Sequence, residues 1–383
     1  MPAASILIKP VSSNCNIDCS YCFYKCLCHH REEYSKGLMS GENLEKLVSN
    51  AISYADHYLA FAFQGGEPML AGLDFYRQAV LLQHKYRKNG LTIENTIQTN
   101  GTLINDAWAE FFAENHFLVG ISLDGPKKLH DKYRGDCQGN GTFEHVMRGI
   151  EILKKWNVPF NIVSVITKDS VKKASYLYKF YKRNKFDFVQ FIPCMEEDKR
   201  GNLKTDDETE EYVRSYGRFL CEIFDLWYAD FVSGERMDIR MFSNLAQMAA
   251  GYPAEECGMN GHCSCYFVIE GDGSVYPCDF YCSDEWKLGT LEDSFLKMQQ
   301  SEKTAAFLRT GQELFAGCPA CPYYSLCRGG CRRWREVTQD RHNILCEAYK
   351  EFFSHSWKQL ENLGLYIKKS MGCKDASRML KLK

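Results

Sequence analysis

The chain carries near its start the stretch that decides its fold, Cys15-Asn16-Ile17-Asp18-Cys19-Ser20-Tyr21-Cys22-Phe23-Tyr24. Its three thiols have C-x-x-x-C-x-x-C spacing and follow a short apolar run at residues 6–8, which predicts a first strand. Three cysteine ligands on a four-iron cluster leave one iron open, where a small molecule can bind. A zinc knuckle is the alternative, and the spacing of three thiols alone does not reject it.

Length and composition narrow the class of protein. The 383 residues suggest two domains, or one large domain with an appendage. The chain is 45% hydrophobic and 25% charged, as in ordinary globular proteins. Its net charge of -2, without a long basic run, argues against nucleic acid or an anionic membrane as partner. No secretory signal or spanning apolar stretch is recognisable, which predicts a cytoplasmic protein.

Nineteen cysteines need a chemical explanation. Disulfide frameworks belong to small domains in oxidising compartments, whereas clustered thiols in a reducing compartment more often bind metal. The thiols here are concentrated at residues 15–28 and after residue 256. The distribution therefore favours two metal-binding regions.

Strand-like and helix-like segments alternate through the first half of the chain. The helical patterns follow Ser40 and Thr142, which are plausible helix caps. The predicted strands, rich in Val, Ile and Phe, are residues 5–9, 59–63, 92–97, 117–122, 160–166 and 186–192. Six βα units are too few for a closed eight-unit barrel, so an open barrel and a doubly wound sheet remain. In both, ligands bind at the carboxyl ends of the strands.

Polar residues and glycines follow three of these strands. Each run by itself is ordinary turn chemistry. Their repetition at the same end of successive strands, opposite the cysteine loop, predicts a pocket. The runs are Gln64-Gly65-Gly66-Glu67-Pro68, Gln98-Thr99-Asn100-Gly101 and Ser122-Leu123-Asp124-Gly125-Pro126.

With Cys15, Cys19 and Cys22 before Phe23-Tyr24, and Gly65-Gly66-Glu67-Pro68 after the next strand, the chain resembles the radical S-adenosylmethionine (SAM) superfamily. The resemblance implies an α/β fold with a partial (β/α)6 barrel. It also implies a [4Fe–4S] cluster on the three cysteines, whose open iron binds the amino and carboxylate groups of SAM. The cofactor-binding residues that it implies are Tyr24 near the adenine, Gly65, Gly66 and Glu67 at the amino group, and Gln98, Asn100, Ser122 and Asp124 along the cofactor or substrate.

The carboxyl third holds a second field of thiols around a hairpin with a Gly271-Asp272-Gly273 turn. Spacing alone leaves two zinc sites and two iron–sulfur clusters open. The run Cys318-x-x-Cys321-x5-Cys327-x3-Cys331 with a distal Cys346 resembles the SPASM domain, which implies two auxiliary [4Fe–4S] clusters and three clusters in total. The implied ligands are Cys257, Cys263, Cys278 and Cys331 for the first auxiliary cluster and Cys318, Cys321, Cys327 and Cys346 for the second. We predict a radical SAM domain at residues 1–234 and a SPASM domain at residues 235–383.

Among SPASM proteins the chain is most similar to the anaerobic sulfatase-maturating enzymes. The residues that carry this are Ile8-Lys9-Pro10, Phe63 to Pro68, Gln98 to Gly101, Val119 to Pro126 and Cys257 to Tyr281. The resemblance implies oxidation of a sulfatase Cys or Ser to Cα-formylglycine by way of a 5′-deoxyadenosyl radical. It also implies that Asp279 is the base that deprotonates the substrate. The alternative is that Asp279 is only a surface carboxylate of the hairpin.

The resemblance also implies the partners. These are an unfolded or nascent sulfatase segment with the pattern Cys/Ser-x-Pro/Ala-x-Arg, and an electron donor such as flavodoxin or ferredoxin. The protein is expected to act as a monomer. The alternative is another SPASM enzyme that forms a thioether or carbon–carbon crosslink in a ribosomal peptide. Such enzymes often carry an amino-terminal leader-binding domain, and a first strand within ten residues of Met1 leaves no room for one.

Overall fold

The computed structural model describes residues 4–197, 203–235 and 237–372. The strands are β1 (Ala4–Ile8), β2 (Ile17–Cys19), β3 (Tyr58–Phe63), β4 (Thr92–Thr99), β5 (Leu118–Ser122), β6 (Arg134–Asp136), β7 (Phe160–Ile166), β8 (Phe188–Pro193), β9 (Asp238–Ile239), β10 (Val268–Ile269), β11 (Ser274–Tyr276) and β12 (Gly289–Thr290). The α-helices are α1 (Phe23–His29), α2 (Gly41–Tyr54), α3 (Leu73–Tyr86), α4 (Asp106–Glu114), α5 (Lys127–Tyr133), α6 (Phe143–Lys155), α7 (Ala174–Arg183), α8 (Asp207–Ser233), α9 (Arg240–Ala249), α10 (Phe295–Gln299), α11 (Glu302–Thr310), α12 (Tyr324–Cys327), α13 (Arg332–Arg335) and α14 (Cys346–Gly372).

The described chain forms two compact units. The first unit contains residues up to 164, with residues 264–310, and the second contains most of the remaining described residues. The first unit therefore combines the amino-terminal βα segments with the hairpin of the second cysteine field. The domain boundary predicted after residue 234 concerns family domains rather than compact units, and it stays a prediction.

The first unit is organised on a sheet in which the strands β1, β3, β4, β5 and β7 run parallel in that order. Strand β10 pairs parallel with the other side of β1, and β11 and β12 continue antiparallel from it. In register, Ile8 lies beside Phe63 at the ends of β1 and β3. The carboxyl ends of these strands therefore meet at one edge, as the sequence predicts for a ligand site.

Alternating burial explains how this sheet is covered. Ile6 and Ile8 of β1 are fully buried, and Phe61 and Phe63 of β3 are buried as well. Helix α2 begins at the predicted cap, where the Asn43 N–H donates to Ser40 Oγ at 3.1 Å. The helix buries the predicted apolar face, which consists of Leu44, Leu47, Val48, Ala51 and Ile52. The predicted amphipathic pattern is confirmed.

The second unit packs α8, α9 and α14 around an aromatic core, in which the ring of Phe224 lies 5.1 Å from that of Phe242 and 5.6 Å from that of Phe352. Strands β8 and β9 pair parallel in this unit. Trp227 of α8 is buried and donates to the Met237 carbonyl at 2.9 Å, so it serves packing. Among the described residues no helix has the length and apolar character needed to cross a bilayer.

All six predicted strands are present, with ends within two residues of the prediction. The predicted hairpin is also present, since Val268 pairs antiparallel with Tyr276. The short strands β2 and β6 were not predicted. They pair with each other, Cys19 lying opposite Arg134. Three-residue strands of mixed polarity have too weak a pattern to be recognised in a sequence.

Candidate active site

Three local structures of the first unit hold the amino-terminal thiols. Cys15 lies in the loop after β1, Cys19 ends β2, and Cys22 is the N-cap of α1. The Lys25 N–H donates to Cys22 Sγ at 3.5 Å. The pairing of β2 with β6 fixes the position of Cys19. The loop that the sequence singled out is therefore anchored on both sides of the thiols.

Burial and mutual proximity disfavour the charged form of these thiols. Desolvation raises the pKa of Cys15 to about 12, and the neighbouring Cys19 and Cys22 thiols add to this. Burial raises the pKa of Cys19 to about 11, against the opposing effect of Arg134. Sulfurs that raise one another's pKa are stabilised as thiolates when they ligate a metal centre.

Arg134 is a site residue that the sequence did not reveal. Its Nη1 atom donates to Cys19 Sγ at 3.8 Å, and its Nε atom lies 2.9 Å from Asp124 Oδ2. The hydroxyl of Tyr21 donates to the same carboxylate. Asp124 is almost fully buried, and its interactions hold Arg134 against the cysteine loop. The role of Asp124 along the cofactor stays a prediction.

The glycine loop after β3 packs against the cysteine loop. Gly65 and Gly66 have φ angles of +95° and +50°, which favour glycine. A Cβ atom on Gly66 would lie 2.1 Å from the Asn14 carbonyl oxygen, and one on Gly65 would lie 2.5 Å from Lys9 Cγ. The Glu67 N–H donates to the Asn14 oxygen at 2.8 Å. Gly66 is thus required by the close approach of the Asn14 backbone, and Gly65 by the close approach of the Lys9 side chain.

The Glu67 carboxylate is fully buried, and protein donors surround it. The Thr99 hydroxyl donates to it at 2.7 Å, and the backbone N–H groups of Asn100 and Met69 donate at 2.8 and 3.0 Å. Burial raises the pKa of Glu67 to about 7, although these donors oppose the shift. The side chain fastens its loop to the end of β4. The contact of this loop with the SAM amino group stays a prediction.

Substitution of Gly66 by Ala is expected to lower the free energy of unfolding by about 2–5 kcal/mol, because backbone strain and overpacking add. Gly72→Ala is the matched control, since its φ of +82° is also unfavourable for Ala but no atom lies within 4 Å of the new Cβ. Denaturant unfolding of both variants measures the difference. Equal losses would show that the contact with Asn14 contributes nothing.

The polar residues after β4 and β5 come together as predicted. Gln98 Nε2 donates to Ser122 Oγ at 3.2 Å. Asn100 Nδ2 donates to Asn16 Oδ1 at 2.8 Å and approaches Cys15 Sγ at 3.9 Å. Asn100 therefore connects the end of β4 to the cysteine loop. The contacts of these residues with SAM are not tested and stay predictions.

Asp279 follows β11 and is only 7% exposed, so it is not a surface carboxylate. Its Oδ1 atom lies 2.5 Å from Lys9 Nζ, and Gln64 Nε2 donates to its Oδ2 atom at 2.9 Å. The Asp279 N–H donates to the Tyr266 hydroxyl at 2.9 Å, and that hydroxyl donates to Cys278 Sγ at 3.3 Å. The structure thus joins the predicted base to the ends of β1 and β3 and to a predicted cluster ligand.

Tyr24 lies in a buried group of charges. Its hydroxyl donates to the Glu270 carboxylate, which also forms an ion pair with Arg31 at 3.0 Å. Lys9 Nζ lies 3.6 Å from the centre of the Tyr24 ring. Burial raises the pKa of Tyr24 well above its ordinary value. The position of Tyr24 near the adenine of SAM stays a prediction.

In the second unit two sets of predicted ligand thiols lie near enough to raise one another's pKa, and their ligation of clusters stays a prediction. Burial raises the pKa of Cys263 to about 12, with contributions from the Cys331 and Cys257 thiols. Burial likewise raises the pKa of Cys346 to about 11, against the effect of Lys350 and with contributions from the Cys327 and Cys318 thiols. Gly311 leaves room for Cys263, because a Cβ there would lie 2.5 Å from Cys263 Cβ. All eighteen cysteines among the described residues are free of disulfides.

Two parts of the chain match known families. Residues 10–173 match the Radical SAM superfamily, and residues 257–322 match SPASM, an iron-sulfur cluster-binding domain. The protein is therefore a radical SAM enzyme with a SPASM domain, and the predicted fold class is confirmed. Its cofactors are SAM and iron–sulfur clusters. The thiols of the matched regions are free of disulfides and so remain open to ligation of these groups.

The relatives define the family more closely. A cysteine-type anaerobic sulfatase-maturating enzyme of Clostridium perfringens (strain 13 / Type A) is 43% identical over 96% of this chain and 100% of its own length. A serine-type enzyme of Bacteroides thetaiotaomicron is 35% identical over 91% of this chain and 88% of its own. The solved structure "Native anSMEcpe with bound AdoMet and Cp18Cys peptide" is 41% identical, with a TM-score of 0.88 over 96% of this chain and 100% of that chain. This chain belongs to the anaerobic sulfatase-maturating enzymes.

Proposed function

We propose that the protein oxidises a cysteine side chain of a sulfatase segment to Cα-formylglycine. The observation that carries the proposal is the buried Asp279 carboxylate, held by Lys9 and Gln64 in the same compact unit as the three-thiol loop. Cysteine is favoured over serine because the cysteine-type relatives are 42–44% identical, against 32–35% for the serine-type relatives. Serine remains a second substrate to be tested.

The reaction requires the loss of one hydrogen atom, one proton and one electron from the substrate. When bound, SAM would supply a radical able to accept the hydrogen atom, and the auxiliary clusters would supply an electron acceptor. These losses convert a Cβ–SH group to a thioaldehyde. Water then replaces the sulfur, which leaves as hydrogen sulfide, and the product is the aldehyde. A serine would give the aldehyde directly.

The chain's own residues would bind the clusters and SAM, and one of them would deprotonate the substrate thiol. We assign the first cluster to Cys15, Cys19 and Cys22, and we assign the proton acceptor for the substrate thiol to Asp279. A general base must come within hydrogen-bond reach of the proton that it takes. We assign SAM binding to Tyr24, Gly65, Gly66, Glu67, Gln98, Asn100, Ser122 and Asp124, and the auxiliary clusters to Cys257, Cys263, Cys278 and Cys331 and to Cys318, Cys321, Cys327 and Cys346.

The setting of the reaction is part of the proposal. We infer that the protein works as a monomer in the cytoplasm and receives electrons from flavodoxin or ferredoxin. Eighteen described cysteines without a disulfide suit a reducing compartment. The substrate segment is expected to be unfolded or nascent, because its cysteine must enter a site with a buried base.

An anaerobic assay with a short peptide tests the proposed function. The enzyme, reconstituted with iron and sulfide, receives SAM, dithionite and a peptide containing Cys-x-Pro-x-Arg. Mass spectrometry is expected to show loss of the sulfur and a product that reacts with hydrazine. The same peptide with Ser in place of Cys is expected to react more slowly. A product that has lost two hydrogens, keeps its sulfur and does not react with hydrazine would contradict the proposal and favour the crosslinking alternative.

A further inference from the structure

Lys9 is a fully buried ammonium group at the centre of the site in the first unit. Its Nζ atom lies 2.5 Å from Asp279 Oδ1 and 3.6 Å from the centre of the Tyr24 ring. Burial lowers the pKa of Lys9, but the neighbouring Asp279 and Glu270 carboxylates and the Cys282 thiol raise it by more, so the net shift is upward. The side chain is therefore charged. Burial of such a charge is unfavourable unless a counter-ion lies close by.

The Lys9 side chain is held in place along its whole length. The Lys9 N–H donates to the Ile269 carbonyl oxygen at 2.8 Å, which fixes the residue beside β10. Its aliphatic stem packs on Gly65, where a Cβ atom would lie 2.5 Å from Lys9 Cγ. Lys9 thus touches both the glycine loop and the carboxylate after β11. A side chain so confined can position the group that it contacts.

The two oxygens of Asp279 have different partners. Oδ2 accepts a hydrogen bond from Gln64 Nε2 at 2.9 Å. Oδ1 has no aligned hydrogen bond with any described residue, so its ion pair with Lys9 is the interaction that balances it. A buried carboxylate held at only one oxygen can still rotate about its Cβ–Cγ bond. Removal of the Lys9 charge would leave Gln64 alone to orient the group.

We propose that Lys9 is a positioning residue, which with Gln64 orients the Asp279 carboxylate toward the substrate thiol. This inference rests on the proposed function, because it assigns to Lys9 the geometry of the proposed base. In a purely structural role Lys9 would only neutralise a buried charge. Its loss would then lower every activity of the enzyme together.

Lys9→Met tests the proposal, because Met keeps an unbranched stem against Gly65 and removes the ammonium. The measurement is the ratio of 5′-deoxyadenosine to aldehyde formed from SAM and the Cys-x-Pro-x-Arg peptide. We expect 5′-deoxyadenosine to stay within about twofold of wild type while the kcat for aldehyde falls by about 100-fold, since a displacement of 1 Å has that effect. The peptide KM is expected to change much less than kcat. A parallel fall of both products would overturn the proposal.

A double-mutant cycle with Asp279→Asn distinguishes a role of Lys9 through Asp279 from a general loss of folded enzyme. If Lys9 acts through Asp279, Lys9→Met is expected to cause no further loss in an enzyme that already carries Asp279→Asn. Multiplied losses would contradict the inference. Lys85→Met is the matched control, because Lys85 on α3 is exposed and pairs with Glu45 at 2.6 Å. It is expected to leave the product ratio unchanged.

Aldehyde formation by the wild-type enzyme separates a failure of the proposed function from a failure of the proposed role of Lys9. No aldehyde from wild-type enzyme overturns the proposed function and this inference with it. Aldehyde from wild type together with an unchanged product ratio in Lys9→Met overturns the inference alone.

Discussion

Asp279→Asn is expected to leave SAM cleavage intact and to reduce aldehyde formation by about 100- to 10,000-fold, the range for loss of a general base. Asn keeps the size of the side chain and its hydrogen bond with Gln64, but it cannot accept the substrate's proton. The measurement is the amount of 5′-deoxyadenosine and of aldehyde formed by the anaerobic enzyme. The two products are expected to become uncoupled, because radical formation does not require this carboxylate.

The control for this variant is Asp272→Asn. Asp272 is an exposed carboxylate in the turn of the same hairpin. Asp272 accepts from the Ser274 N–H at 2.9 Å, an interaction that Asn can keep. Its product ratio is expected to match wild type. Full aldehyde yield from Asp279→Asn would remove this residue from the mechanism.

The second large effect is expected for Cys15→Ala, which should abolish SAM cleavage. Loss of one of three thiol ligands removes the arrangement that holds the cluster while leaving one iron open. The expected reduction in 5′-deoxyadenosine formation exceeds 100-fold, since even residues behind metal ligands cost about 10- to 100-fold when removed. Iron content and the absorbance of the reconstituted cluster provide a measurement that does not depend on turnover.

Cys137→Ala is the matched control for the thiol loss. Cys137 is exposed, and its Sγ donates to the Asn16 carbonyl oxygen at 3.8 Å, so it lies beside the same loop without belonging to the motif. Iron content and SAM cleavage are expected to stay near wild type. If Cys137→Ala and Cys15→Ala lost iron equally, the three-thiol assignment would be contradicted.

Much of the fold was readable from the sequence because each signal is local. The six strands and the helix after Ser40 follow from hydrophobic periodicity and a cap residue, which involve near neighbours in the chain. The thiol motif is also local, since Cys15 and Cys22 are seven residues apart. The family followed from such motifs in order along the chain, and the relatives confirm it.

Contacts between side chains that are distant in sequence could not be predicted. Arg134 gave no signal, because its importance depends on the pairing of β2 with β6 and on Asp124. The donors to the Glu67 carboxylate from Thr99, Asn100 and Met69 were likewise not predicted. Such choices depend on which donors the folded chain brings within about 3 Å, and periodicity does not encode that distance.

The three-thiol stretch, the glycine loop and the positions of the strands along the chain were determined by the sequence itself, since local spacing and hydrophobic pattern suffice to define them. Only the tertiary structure decided the environment of Asp279. In sequence it is one more hairpin carboxylate, 270 positions from Lys9. The parallel pairing of β1 with β10 brings the two within 2.5 Å of each other in a buried site. Because both side chains are buried, the ion pair between Lys9 and Asp279 is required, since an unpaired charge there would cost several kcal/mol.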